Sequence, residues 1–119
     1  MSELFWLRLE ELVQKNGIAI ERPKGTAHPR YPSNIYPVDY GFLKNTRSSD
    51  GAEVDIWVGS LIPGSLDGVI CTLDELKGDV ELKIIWGCTE EELISIKNFV
   101  NNDMQSGVVL LKPEFSEGR

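Results

Sequence analysis

The residues able to do chemistry fall in three short blocks. Asp50-Gly-Ala-Glu-Val-Asp55 puts one acid in a tight turn and two more, Glu53 and Asp55, two positions apart on the strand that should follow. Side chains two apart on a strand point the same way. Carboxylates that close repel and raise each other's pKa unless a cation sits between them. Hard oxygen donors of this kind suit Mg²⁺, which usually takes one or two carboxylates, waters and substrate phosphate oxygens. A solvated strand face in an acidic protein has the same pattern. The second block is basic: Arg22, Lys24, His28 and Arg30 fall within nine residues. In a proline-stiffened loop they would gather an anion, with arginine offering a two-pronged donor to phosphate. The plain alternative is a solvated loop, and His28 alone reads as a surface histidine. The third block is Tyr36 and Tyr40, either partial core or two phenol donors toward a phosphate. A metal–phosphate ligand needs both signs of charge in one cleft, so the acidic and basic blocks complement each other.

These blocks need elements to hold them. Phe5, Leu9, Leu12 and Val13 form one stripe at spacings of three and four, which predicts a helix over residues 2–16. Ser2 can cap its start, and Gly17 stands where a left-handed residue closes a helix. Ile18 to Ile20 read as a short strand. Pro23, Pro29, Pro32 and Pro37 then argue for an extended loop or edge, because proline lacks the ladder N–H. Strand character returns from Tyr36 to Leu43, and Ser48-Ser-Asp-Gly51 is a turn. From residue 53 to 58 the chain alternates, with Val54, Ile56 and Val58 opposite Glu53, Asp55 and Trp57. Asp67-Gly68 reads as punctuation before a strand from Val69 to Leu73. Glu81 to Trp86 alternates again. Thr89 with Glu92 is a capping box opening a helix of about 15 residues. Val108 to Leu111 close the list of strands.

Composition narrows the class. The chain has 119 residues, 41% of them hydrophobic and 26% charged, which fits one domain over residues 1–119. The net charge of −7 argues against nucleic acid and anionic membrane surfaces as partners. No apolar run approaches the ~20 residues of a membrane span. The first residues lack a signal peptide's basic-then-apolar layout. Cys71 and Cys88 are expected as buried reduced thiols of a cytoplasmic protein. The expected fold class is mainly β with flanking α. Its form is a small, OB-like closed barrel of about five strands, with an N-terminal and a C-terminal helix.

The stretches Ile20-Glu-Arg-Pro-Lys-Gly-Thr26, Arg30-Tyr31, Tyr36-Pro-Val-Asp-Tyr-Gly-Phe42 and Asp50-Gly-Ala-Glu-Val-Asp55 resemble, in order and approximate spacing, soluble family I inorganic pyrophosphatase. The resemblance runs over roughly residues 18 to 86. It implies an OB-like barrel, several Mg²⁺ ions on aspartates, and a metal-bridging water attacking one phosphorus of pyrophosphate. By resemblance Asp50 and Asp55 are metal ligands, Glu21 lies in the active-site cavity and Arg30 binds phosphate. Tyr36 and Tyr40 match the family's two tyrosines, Tyr40 near phosphate and the attacking water. Asp74 resembles the first of the later metal-binding acids. The next is either Asp79 or Glu81, the latter with Lys83 in a D-x-K-like element of metal ligand and phosphate contact. The resemblance also implies a possible homo-oligomer.

The chain departs from the family pattern in three places. Ala52 stands where the family has the aspartate proposed to take the water's proton. The C-terminal Tyr-Lys pair has no counterpart in Ile96-Lys-Asn-Phe-Val-Asn-Asn102, and the stretch between the first two blocks is short. Losing a general base typically costs ~10²–10⁴ in rate. The expected function is an Mg²⁺-dependent inorganic diphosphatase acting on pyrophosphate or another small phosphoanhydride. In that reading Tyr40 and Asp55 are catalytic. Glu21, Lys24, Arg30, Tyr36 and Lys83 bind substrate, and Asp50, Asp55, Asp74 and Glu81 bind metal. The competing readings are a catalytically weak module that binds metal and phosphate or a nucleotide, and an OB-type nucleic-acid binder stacking bases on Trp57 and Trp86.

Overall fold

The computed structural model describes residues 3–114. Helix α1 (Glu3–Asn16) follows the predicted stripe. Ser2, its expected cap, lies outside the described residues. Gly17, at φ +79°, closes the helix by donating to the Val13 carbonyl, a conformation that costs glycine no Cβ clash. The chain enters β1 (Ile18–Arg22) directly. The proline-rich loop follows, then β2 (Asp39–Leu43), β3 (Asp55–Val58), β4 (Leu66–Asp74) and β5 (Asp79–Trp86). Helix α2 (Glu90–Val100) and β6 (Gln105–Leu111) complete the order.

The strands form one six-stranded sheet in the order β1-β2-β3-β5-β4-β6, mixed because β3 and β5 run parallel. The sheet is open, with β1 and β6 as its edges. This corrects the expected closed five-stranded barrel. The physical reason lies in the burial pattern. Ile56 and Trp57 are neighbours on β3, point to opposite faces, and are both buried. Trp57 packs with Tyr36, Tyr40, Ile70, Ile85 and Ile96. Ile56 packs with Trp6, Val13, Leu43, Val69 and Ile84. Helix α2 therefore covers one face and α1 the other, and helices do the burying that barrel closure would do.

Other boundaries also shift. Asp67-Gly68 is part of β4, which carries a bulge between Leu66 and Gly68, so the expected break is a bulge within a paired strand. Helix α2 spans 11 residues, not about 15. The predicted strand at 108–111 begins at Gln105 and pairs along β4 from Gly68 to Asp74. Cys88 is buried as expected, but Cys71 is only partly so; both are free thiols. Trp57 is buried in the core and offers no stacking platform. No helix among the described residues is long and apolar enough to cross a membrane.

The capping box at Thr89 does more than start α2. The Glu92 carboxylate oxygen Oε1 accepts from Thr89 N at 2.9 Å, Ser60 N at 3.0 Å and Ser60 Oγ at 3.1 Å. It thus ties the segment after β3 to the helix start. Burial alone would raise the Glu92 carboxyl, but these hydrogen bonds outweigh it and hold it below its ordinary value. A carboxyl lowered on folding adds stability above its unfolded pKa and loses it as pH falls through the folded one. Glu92→Ala should cost about 2 kcal/mol in chemical denaturation at neutral pH. That difference should shrink as the pH drops below 4.5.

Candidate active-site cleft

The cleft lies on the α2 face of the sheet. Strand alternation selects its floor: Tyr40 from β2, Asp55 and Trp57 from β3, Thr72 and Asp74 from β4, Glu81 and Lys83 from β5. Its walls come from the proline-rich loop and the α2–β6 turn, and the cavity measures about 480 Å³.

Lys83 is its centre. Only 14% of this side chain is exposed. Its Nζ donates to Tyr40 Oη at 2.7 Å and lies 3.5 Å from Glu81 Oε2 and 3.8 Å from Asp55 Oδ2. Tyr40 Oη in turn donates to Asp55 Oδ2 at 2.9 Å. Burial first, then the Asp55 charge, pushes the Tyr40 phenol far above its ordinary value, so it stays a neutral donor.

A second cluster faces it. Arg22 donates through Nη1 to Tyr36 Oη, lies over the Tyr36 ring at 5.6 Å, and sits 3.9 Å from Glu21. Tyr36 packs 5.5 Å from Tyr40 and 4.8 Å from Phe99. The proline-rich loop folds back through the Ala27–Ile35 bridge and lays the His28 ring parallel to Tyr36, centroids 6.0 Å apart. His28 Nδ1 accepts from Arg30 N at 3.0 Å and Tyr31 N at 3.3 Å. With Nδ1 occupied as an acceptor, the proton of the neutral ring belongs on Nε2. Trp57 Nε1 is a buried donor with no hydrogen-bond partner among the described residues.

The structure brings together Glu21, Tyr36, Tyr40, Asp55, Asp74, Glu81 and Lys83, and also Asp79. It leaves Lys24, Arg30 and Asp50 outside the lining. Lys24 is exposed, its backbone N bound to Asp39. Arg30 is exposed and meets the site only through its N–H on His28. Asp50 accepts from the Ser48 hydroxyl and from Ala52 N at 2.9 Å. Those two bonds, Ser48's first, hold its carboxyl low and fold it into its own turn. Glu53 precedes β3, is exposed and lies outside the cleft lining that holds Asp55. Arg22 and His28 of the basic block line the cleft, and so do Thr72 and Lys77, which no sequence signal marked. Arg22 was masked by the register shift between Ile20 and Arg22, which breaks the simple alternation of β1.

The metal expectation is tested by the same geometry. Among the described residues, no three His, Cys, Asp or Glu side chains are grouped to hold a metal ion. Asp50 faces its turn, and Asp74 Oδ1 caps the β4–β5 hairpin by accepting Lys77 N at 3.0 Å. Asp55 and Glu81 already face the Lys83 ammonium. The expected four-carboxylate Mg²⁺ set is not assembled, and the residues present do not fit a resident metal centre.

Among solved structures, the chain is similar to an inorganic pyrophosphatase from Neisseria gonorrhoeae, at 19% identity and TM-score 0.58, over 77% of this chain and 80% of that one. It is similar to the enzyme from Thermus thermophilus at 22% identity and TM-score 0.57, over 78% of each chain. The Helicobacter pylori enzyme aligns at 20% identity and TM-score 0.55, over 79% of this chain and 81% of that one. The fold is pyrophosphatase-like. No protein-family model matches the sequence, and no curated protein matches it.

His28 is the chain's single histidine, so its ring nitrogens can be read directly. Burial first, then Arg22, Arg30, Lys77 and Lys83, lower its pKa. Long-range ¹⁵N–¹H correlation at pH 7 should show a neutral ring protonated at Nε2, titrating below 6.5. A ring protonated at Nδ1 at that pH would contradict the loop geometry.

Proposed function

We propose that the cleft binds inorganic pyrophosphate as its magnesium complex and hydrolyses it to two phosphates. The observation that carries this reading is a single cavity in which Arg22, Lys77 and Lys83 face Asp55, Asp74 and Glu81, on a pyrophosphatase-like fold. In this reading the ion enters with the substrate, since the described residues offer no grouped ligand set to hold it alone. Lys83 and Arg22 take phosphate oxygens, exchanging their carboxylate and phenol contacts for the more highly charged diphosphate. Tyr36 and Tyr40 orient those cations. Asp55, fixed by the Tyr40 hydroxyl, takes the proton of the attacking water in place of the acid absent at Ala52. Glu21 balances Arg22. Lys24 and Arg30, exposed on the neighbouring loop, steer the anion inward rather than hold it. The chain acts as one domain in the reducing cytoplasm, in keeping with its free cysteines.

Phosphate release from pyrophosphate with Mg²⁺ tests the reading. Asp55→Asn should lower kcat by ~10²–10⁴. Lys83→Met should act mainly on KM, raising it ~10-fold or more, the loss of one charged hydrogen bond. Equal, near-background rates for the wild-type chain and Asp55→Asn would remove the hydrolase reading.

A second reading, a module that binds pyrophosphate or a nucleotide without turnover, is favoured by one observation. Ala52 engages only through its backbone, its N–H donating to Asp50 and its carbonyl accepting from Ser48, in an exposed turn where the family pattern has a proton-accepting side chain. Calorimetry showing tight pyrophosphate binding with no phosphate released would select it. A large gain in hydrolysis for Ala52→Asp would show that the remaining site is competent.

A further inference from the structure

The cleft is larger and more varied than a bare diphosphate needs. Its cavity of about 480 Å³ lies within the ~300–1,000 Å³ of pockets that enclose drug-sized ligands. Its charged groups include Lys83 and Arg22, and from their tyrosine partners a run of rings leads away. Tyr40 stands 5.5 Å from Tyr36, Tyr36 stands 4.8 Å from Phe99 and 6.0 Å from His28, and His28 stands 5.2 Å from Tyr31. Met104, from the α2–β6 turn, joins Tyr31, His28 and Phe99 in the lining. Tyr31 is 44% exposed and Met104 37%, so both keep surface open. At neutral pH none of these four side chains carries a charge. Thr72 adds an independent signal. It is 3% exposed, it lines the cavity, and its hydroxyl has no hydrogen-bond partner among the described residues. Buried polar groups are normally paired, so an unpaired one in a cavity wall fits a ligand. Thr72 pairs with Glu81 of β5 on one side and Gly107 of β6 on the other, between the Lys83 strand and the strand that leads from Met104.

We propose that the cleft's diphosphate is one esterified to a nucleoside, with the base on the wall of Tyr31, His28, Phe99 and Met104 and the terminal phosphate at Lys83. The inference rests on the diphosphate reading above and narrows its substrate to a nucleoside diphosphate. Uncharged rings do nothing for a bare diphosphate, whereas a base stacks on them, and each stacking partner is worth roughly 5- to 150-fold in affinity. Thr72 then offers its hydroxyl to the part of the ligand between base and terminal phosphate. Charge points the same way. Glu21, Asp79 and Asp103 add to the acids that face Arg22, Lys77 and Lys83 in the lining. An esterified diphosphate, fully ionised, carries one negative charge fewer than pyrophosphate, so it meets less like-charge repulsion there. The reaction is the same displacement. The water oxygen bonds to the terminal phosphorus, and the bond from that phosphorus to the bridging oxygen breaks. Its electron pair stays on the leaving nucleoside monophosphate. One water proton passes to Asp55, and the other hydrogen remains on the released phosphate.

Calorimetry of the full chain with Mg²⁺ tests the wall without turnover. The probes are the α,β-methylene analogue of ADP, whose bridging carbon blocks cleavage, and methylenediphosphonate, which lacks the nucleoside. ADP serves as the probe because every base has a face to stack. The wild-type chain should bind the ADP analogue ~10-fold or more tighter than methylenediphosphonate. Tyr31→Ala should weaken the ADP analogue by about 10-fold and leave methylenediphosphonate unchanged. Phe99→Leu removes a ring but keeps an aliphatic side chain in its place, and should have the same selective effect, with circular dichroism checking the fold. Equal affinity for the two probes overturns the inference. So does an unchanged ADP-analogue affinity in folded Tyr31→Ala and Phe99→Leu. Phosphate release is measured beside binding, from ADP and from pyrophosphate. Release from pyrophosphate with no preference for the ADP analogue removes the nucleoside and leaves the pyrophosphate reading standing. Selective binding of the ADP analogue with no phosphate released from either compound removes hydrolysis and keeps the base wall.

Discussion

A lysine ammonium taken most of the way out of water must be paired, and the pairing of Lys83 organises the cleft. Desolvating a charge costs several kcal/mol unless partners replace the lost water. Here three strands supply them: Tyr40 from β2, Asp55 from β3 and Glu81 from β5. Of the three only Glu81 is near Lys83 in the chain. The parallel register of β3 on β5, which sets Ile56 opposite Ile84 and Trp57 opposite Ile85, brings Asp55 level with Lys83. A slip of one residue there would send Asp55 to the α1 face and leave the ammonium half paired.

The same register divides the molecule into two chemistries. On the α2 face, the strand positions nearer the helix hold Trp57, Ile70 and Ile85, and those beyond it hold the charged floor of the cleft. On the α1 face, the positions beyond the helix stay aliphatic. Both faces thus have a covered half and an uncovered half. In one the uncovered half carries charges of both signs; in the other it carries none. A charged open face suits a small anionic ligand.

Chemistry at the cleft departs from what motif order alone implies. The acids around residue 50 look like one ligand cluster in the sequence, yet the Ser48–Ala52 turn captures Asp50 while β3 carries Asp55 away from it. What remains is a site in which lysine and arginine already occupy the carboxylates and phenols. With Arg22, Lys77 and Lys83 set against Glu21, Asp55, Asp74, Asp79, Glu81 and Asp103, the lining is net acidic. A polyanion must compete with those contacts, which sharpens selection for a ligand of high charge density over a singly charged one.

Much was legible in the residues themselves. The helix stripe and its glycine stop, the capping box at Thr89 and the alternation of β3 and β5 all depend on short-range periodicity or residue chemistry, whereas Lys83 entered only through the resemblance of its segment to a family element. Those signals are carried by neighbours in the chain. What needed the folded molecule is whatever depends on which strand lies beside which. The open sheet, the parallel β3–β5 pair, the bulge that turns Arg22 into the cleft and the exclusion of Asp50, Lys24 and Arg30 belong to this group. So does the bare aliphatic half-face, because alternating residues read the same under a helix as beyond its end. Local sequence sets the direction of a side chain, but only long-range pairing sets what stands in front of it.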